Sequence, residues 1–241
     1  MGKIAAVVLA AGQGKRMNCD IHKQYLRIKD KPVLYYSLQM LEQSEVDSII
    51  LVTGREEIAY CEREIVGKYG FSKVEKIIGG GKERYHSVYE GLKALPDDTE
   101  YVLIHDGARP LLTERIIRDT VEAVKIYKAC AVGMPVKDTI KLTDENRFAL
   151  KTPDRARMWA VQTPQAFAYD LIWRAYSALM KKEIPVTDDA MVVEVFLQHP
   201  VKLVEGSYRN IKITTPEDLL MAETFLEDET ASLFVKSEKS Y

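Results

Sequence analysis

The stretch Ala10-Ala11-Gly12-Gln13-Gly14-Lys15-Arg16-Met17 carries the densest chemistry of the chain, and it follows directly on the apolar run Ile4–Leu9. A buried strand that empties into small residues and two cations suits phosphate. Glycine lets backbone N–H groups approach anionic oxygens, and Lys15 and Arg16 add charge. The spacing matches neither of two familiar phosphate loops. Met17 stands where a dinucleotide-binding turn needs its third glycine, and Gly14-Lys15 comes too soon, with Arg16 after it, for a Walker-type loop. Taken alone, the octapeptide is also compatible with a glycine turn bearing solvated basic residues.

Other residues narrow the choice. Asp106, in His105-Asp106-Gly107-Ala108-Arg109-Pro110, has a cation three positions on. A carboxylate beside a triphosphate would be repelled unless it met a divalent cation, so Asp106 points to magnesium; a turn-forming aspartate is the alternative. The fork of Arg109 suits a phosphate monoester. Lys23 lies a short loop beyond Arg16, and Lys212 sits in Asn210-Ile211-Lys212-Ile213-Thr214. Alternation there would put Ile211 and Ile213 on one face and Lys212 on the other. Together these residues imply a nucleotide.

The elements that must position them read as an α/β pattern. Strands are expected at Ile4–Leu9, Ser48–Thr53, Val74–Ile78, Tyr101–His105 and Ala129–Val136, with helical stripes between them: Leu34/Leu38/Leu41, Ile58/Cys61/Ile65, Val88/Leu92/Leu95 and, after the N-cap Thr113, Ile117/Val121/Val124. The expected architecture is a Rossmann-like, mostly parallel sheet flanked by helices. Ligands of such sheets bind at the carboxyl ends of strands where the strand order reverses. Four polar clusters fall just after strands: residues 10–17, Gly79–Arg84, His105–Pro110 and Val136–Thr139. Residues 137–162 change to short β-like segments and read as a protruding β-arm. Helices return at Tyr169–Leu179 and Asp188–Phe196, strands at Val201–Glu205 and Asn210–Ile213, and a last helix after Pro216. One domain over residues 1–226 and a polar, loosely held tail over 227–241 are expected.

Composition excludes several classes. At 46% hydrophobic and 29% charged, 241 residues can bury a sizeable core, and a net charge of −2 gives no global attraction for nucleic acid or anionic membrane. Cys19, Cys61 and Cys130 are odd in number and lack C-x-x-C spacing, against a disulfide framework or zinc site and in favour of a reducing cytoplasm. Export signals and membrane helices are not expected. The four scattered histidines are given no chemistry.

With these clusters in order, the chain resembles the 2-C-methyl-D-erythritol 4-phosphate cytidylyltransferases. The matching pieces run from Leu9–Met17 through Lys23-Gln24-Tyr25, Gly80-Gly81 to Ser87-Val88, His105–Pro110, Asp138-Thr139, Asp154-Arg155 with Trp159, Gln162–Gln165, Thr187–Ala190 and Asn210–Thr214. The resemblance implies CMP transfer from CTP to the methylerythritol phosphate, with pyrophosphate released. It places Ala10, Ala11, Gly12, Gly80, Gly81 and Ser87 around cytosine and ribose, and Gly14, Lys15, Arg16 and Lys23 around the triphosphate. Arg16, Lys23 and Lys212 are implied as the catalytic charges at the α-phosphorus. Asp106 is implied beside Mg2+ or another divalent cation, with Arg109 near the acceptor. The β-arm is implied to reach across a homodimer so that Thr139, Arg155, Thr163 and Thr187 hold the acceptor in the neighbour's site. Such chemistry needs no general base, because the attacking phosphate is already ionised; it needs positioning and positive charge, consistent with clusters rich in Arg, Lys and Gly.

Three departures qualify the match. His22 replaces the proline expected before Lys23-Gln24, Lys82 stands where some relatives carry an acid facing the ribose, and Gly206–Asn210 offers no second carboxylate. Ribitol-5-phosphate cytidylyltransferase is the nearest rival, disfavoured by Asp154-Arg155 and Met158-Trp159; a non-catalytic nucleotide-binding regulator is a third reading, disfavoured by the joint presence of Arg16, Lys23, Asp106 and Lys212.

Overall fold

In the computed structural model, residues 2–12, 22–182 and 184–238 are described, with side chains through residue 228. The main sheet comprises β1 (Lys3–Leu9), β4 (Ser48–Thr53), β5 (Val74–Gly79), β6 (Thr99–Asp106), β7 (Ala129–Pro135), β10 (Trp159–Ala168) and β11 (Lys202–Glu205). Two small pairs, β2 (Arg27–Ile28) with β3 (Lys31–Pro32) and β8 (Leu142–Thr143) with β9 (Ala149–Lys151), stand apart from it. The helices are α1 (Val33–Glu42), α2 (Ile58–Tyr60, continuing as a π-helical turn to Gly67), α3 (Arg84–Ala94), α4 (Glu114–Tyr127), α5 (Tyr169–Lys182), α6 (Asp189–Leu197) and α7 (Pro216–Glu238).

The sheet order is β11-β7-β10-β6-β1-β4-β5. From β1 the chain steps outward through parallel β4 and β5, then crosses back to lay β6 parallel on the other side of β1. That reversal opens a crevice at the carboxyl ends of β1 and β6, where Leu9 and Asp106 are register partners. The central strands read as continuous apolar runs because both faces are covered: Ala5–Val8 and Ile49–Val52 are fully buried. Helix α3 lies so close to the sheet that a Cβ on Gly91 would stand 2.5 Å from Val7 Cγ1. Thr113 caps α4, accepting from the Ile116 N–H at 3.3 Å, and the expected stripe of Ile117, Val121 and Val124 is buried.

Two expectations are corrected. Asn210–Ile213 is not a strand, because the Ile213 N–H goes to Ala108 O at 2.8 Å instead of joining a ladder, and Ile213 plugs a small cluster with Ile28, Val33, Leu111 and Ala222. Residues 159–162 of the excursion belong to the main sheet, where β10 pairs antiparallel with both β6 and β7; the sheet is mostly parallel, as expected. Helix α7 runs on through residues 227–238 of the segment expected as a polar tail.

One buried polar chain stiffens the crevice from behind. His105 is fully buried, with Nδ1 3.1 Å from Thr163 Oγ1 and Nε2 3.4 Å from Arg109 O, while Thr163 Oγ1 also accepts the Asp106 N–H at 3.0 Å. A neutral ring protonated at Nε2 satisfies all three contacts. Burial, aided by the charges of Arg109 and Lys212, lowers the His105 pKa to about 4 against the pull of Asp106. An unfolded chain takes up that proton near 6.5, so stability due to this histidine is complete above about 6.5 and is lost as pH falls toward about 4, at roughly 1.4 kcal/mol per pH unit where steepest. An NMR titration of the folded protein should show His105 neutral through pH 5; a midpoint near 6.5 would contradict the burial argument.

Candidate active site

The end of β1 supplies the first wall. Ala10 N–H bonds Val52 O at 2.6 Å, and Gln24 Nε2 donates to Ala10 O, so the chain leaving β1 is held from both sides. Among the described residues nothing lies within 4 Å of a Cβ built on Gly12, which lines the pocket. Gly80 and Gly81 differ. A Cβ on Gly80 would stand 2.6 Å from Ala11 Cβ and 2.7 Å from Ser87 Oγ, and one on Gly81 2.4 Å from His86 Cβ. These glycines allow the loop after β5 to close against the loop after β1, and the Gly81 N–H donates to Ser87 Oγ at 3.1 Å.

Between these walls lies a cavity of about 590 Å³, lined by Ala10, Ala11, Gly12, Lys23, Gly81, Lys82, Arg84, Ser87, Asp106 and Lys212, among others. That size suits a small ligand. The N-terminus of α3 opens into it, adding the positive end of a helix to the lysines.

Asp106 forms the electrostatic centre. Its side chain is 9% exposed and meets Lys212 Nζ at 2.7 Å, Arg84 Nε at 3.3 Å and Arg109 Nε at 3.8 Å. Burial alone would raise its pKa, but Arg84, Lys212 and Arg109 outweigh that and hold it far below the usual carboxylate range. Lys212 reaches the pocket without a strand, seated by Ile213 on one side and by Asp218, whose Oδ2 accepts the Thr214 and Thr215 N–H groups at 2.7 and 2.8 Å. Lys23 Nζ donates to Ile213 O at 2.9 Å, tying it to the same segment.

The structure thus gathers Ala10, Ala11, Gly12, Lys23, Gly81, Ser87, Asp106 and Lys212 around one cavity, with Gly80 just behind. Gly14, Lys15 and Arg16 lie outside the described residues. Arg109 is mostly buried, its Nη1 donating to Asn210 O at 2.8 Å. Thr163 is buried behind Asp106 in its own chain. Thr139, Arg155 and Thr187 are exposed and do not line this cavity; Arg155 Nη1 donates to Lys137 O at 2.8 Å. Sequence reasoning quoted Arg84 and Asp189 in motifs but gave them no role. Arg84 is bidentate to Asp189, Nη1 and Nη2 each 2.8 Å from a carboxylate oxygen, a pairing between residues 105 apart that no local pattern announces. Among the described residues, no group of three or more His, Cys, Asp or Glu side chains could hold a metal ion, and no helix is long and apolar enough to cross a membrane.

Comparison with known proteins agrees with this geometry. Residues 4–228 match the family model described as 2-C-methyl-D-erythritol 4-phosphate cytidylyltransferase. Proteins of that name from Lachnoclostridium phytofermentans and Caldanaerobacter subterraneus are 49% and 50% identical to this chain, over 95% and 92% of it and 98% of each relative. The crystal structure of 4-diphosphocytidyl-2C-methyl-D-erythritol synthase from Anaerococcus prevotii superposes with a TM-score of 0.83 at 36% identity, covering 94% of this chain and 96% of that one. The pocket at the β1/β6 reversal and the extent of these matches lead to one conclusion: the chain belongs to the 2-C-methyl-D-erythritol 4-phosphate cytidylyltransferase family.

Proposed function

We propose that the cavity between β1, β6 and the N-terminus of α3 is where CMP passes from CTP to 2-C-methyl-D-erythritol 4-phosphate, yielding 4-diphosphocytidyl-2-C-methyl-D-erythritol and pyrophosphate for isoprenoid biosynthesis. The observation that carries this assignment is the convergence of Lys212 and Lys23 with Asp106 on the Ala10–Gly12 wall. Backbone around Ala10–Gly12 and Gly81, with Ser87, receives cytosine and ribose. Lys23 and Lys212 face the triphosphate, and the same role is assigned to Gly14, Lys15 and Arg16. The acceptor phosphate attacks as an anion, so the protein's task is to align it and offset charge at the α-phosphorus.

Asp106, a carboxylate on the pocket wall, would hold a magnesium ion together with nucleotide oxygens and water. Such an ion, when bound, offsets triphosphate charge. Arg109 borders the acceptor side. The buried free thiols of Cys61 and Cys130 fit a cytoplasmic enzyme.

A homodimer completes the site in this proposal, with residues 1–226 as one catalytic unit. The β8–β9 hairpin leaves Phe148, Leu150 and Leu142 71%, 70% and 51% exposed, more apolar surface than an isolated two-stranded ribbon sustains. Thr139 and Arg155 ride on the same arm, and Thr187 is exposed ahead of α6; with Thr163 behind the pocket, they are proposed to serve the acceptor.

Pyrophosphate release from CTP should be faster with methylerythritol 4-phosphate than with ribitol 5-phosphate; the reverse order would reassign the acceptor, and tight CTP binding without release would indicate a regulator. Lys212→Ala should lower kcat by about 10² with the fold intact, the scale of removing one preorganised charge; wild-type kcat would refute its role. Lys212→Ala subunits mixed with Arg155→Ala subunits should regain about a quarter of wild-type activity, because half the dimers are mixed and each holds one intact site. No recovery would count against an arm acting in trans.

A further inference from the structure

Asp189 is fully buried, and a buried carboxylate persists only with strong partners. It has two. Arg84 grips both oxygens from the start of α3, and Tyr176 Oη, from α5, donates to Oδ1. The segment carrying Asp189 is itself fixed: Asp188 Oδ1 accepts the Met191 N–H at 3.0 Å, Gln165 Nε2 donates to Asp188 Oδ2 at 3.0 Å, and Gln165 Oε1 accepts the Ala190 N–H at 2.8 Å. With both Nη atoms committed to Asp189, the remaining nitrogen of Arg84, Nε, points at Asp106 Oδ1.

We infer that Asp189 and Arg84 are positioning residues for the reaction, a clamp in which the buried carboxylate fixes the plane of the guanidinium and the guanidinium in turn fixes the Asp106 carboxylate on the pocket wall. The arrangement separates this role from two others. Arg84 lines the cavity and could have served as a phosphate-binding cation, but its charge is shared between two carboxylates and its fork is taken up by the buried Asp189. A purely structural ion pair would not need the third nitrogen at the pocket. Lysine cannot substitute, since one ammonium cannot grip a carboxylate bidentately and reach a second one.

The inference rests on Asp106 standing beside the reacting phosphates. Steady-state kinetics of Arg84→Lys, Asp189→Asn and Asp106→Asn, with each of the first two also combined with Asp106→Asn, test both, folding being checked by circular dichroism and thermal unfolding. Arg84→Lys and Asp189→Asn should each lower kcat about 10- to 100-fold, the scale of a misplaced catalytic group, with KM for CTP within about 3-fold of wild type. In the Asp106→Asn background either change should cost less than about 2-fold more, the non-additivity of residues acting as a unit. If Asp189→Asn fails to fold, the Arg84→Lys cycle decides. Wild-type kcat in folded Arg84→Lys, a loss confined to the KM for CTP, or effects that multiply with Asp106→Asn would overturn the clamp while leaving Asp106 in place. Wild-type kcat in Asp106→Asn alone would remove the role of Asp106 and the clamp with it.

Discussion

A carboxylate buried at the mouth of a parallel sheet is costly, on the order of several kcal/mol for an unpaired ion, and Asp106 sits in that position. Its neighbours arrive from three separate stretches of chain: Arg84 from the start of α3, Arg109 from the turn after β6, and Lys212 from the segment before α7. Arg109 is local, three residues on in the same turn, but Arg84 and Lys212 have no local reason to converge there. The topology provides one, since the reversal of strand order between β1 and β6 leaves a gap that no crossover fills, and loops from distant parts of the sequence close over it.

The apolar core serves that convergence in a specific way. Ile213 is buried against Ile28, Val33, Leu111 and Ala222, away from the main core, so α7 acts as a brace for the segment bearing Lys212. On the other side, Thr163 and His105 hold the backbone of Asp106 from within the sheet. Side chain and backbone of the same residue are thus restrained by different elements, which keeps the carboxylate fixed while the surface facing the nucleotide stays polar.

How much of this the sequence disclosed depends on the range of the interaction. Central strands such as β1 and β4, and the striped helix α4, were legible because burial imprints local periodicity. The placement of Asp106, Lys23 and Lys212 near Ala10–Gly12 followed from strand ends and from the family resemblance together. Lys212 was expected on an alternating strand; it reaches the pocket instead through one backbone bond and one plugged isoleucine, because nothing local distinguishes an extended segment held by tertiary contacts from a strand in a ladder. The Arg84–Asp189 pair left no pattern at all. Asp188-Asp189 before an apolar run reads as a helix start, which it is, and Asp188 performs that duty while Asp189 turns inward.

The charge inventory explains how such a site can receive a triphosphate without losing its order. Among the three described cations paired with Asp106, Lys212 is the closest and also the most exposed, its side chain 35% accessible against 29% for Arg84 and 11% for Arg109. On the proposed reading, Lys212 can turn toward an arriving phosphate while Arg84 and Arg109 continue to satisfy Asp106, so the carboxylate is never left unpaired. A flexible ammonium suits that exchange, and a planar fork locked on a buried partner suits the fixed side of it. Lys23 is anchored on the carbonyl of Ile213, next to Lys212, so the two lysines approach the ligand from one seam. The chemistry asks for nothing more elaborate: with an ionised nucleophile and pyrophosphate leaving, charge held in the right place replaces the base that a neutral nucleophile would require.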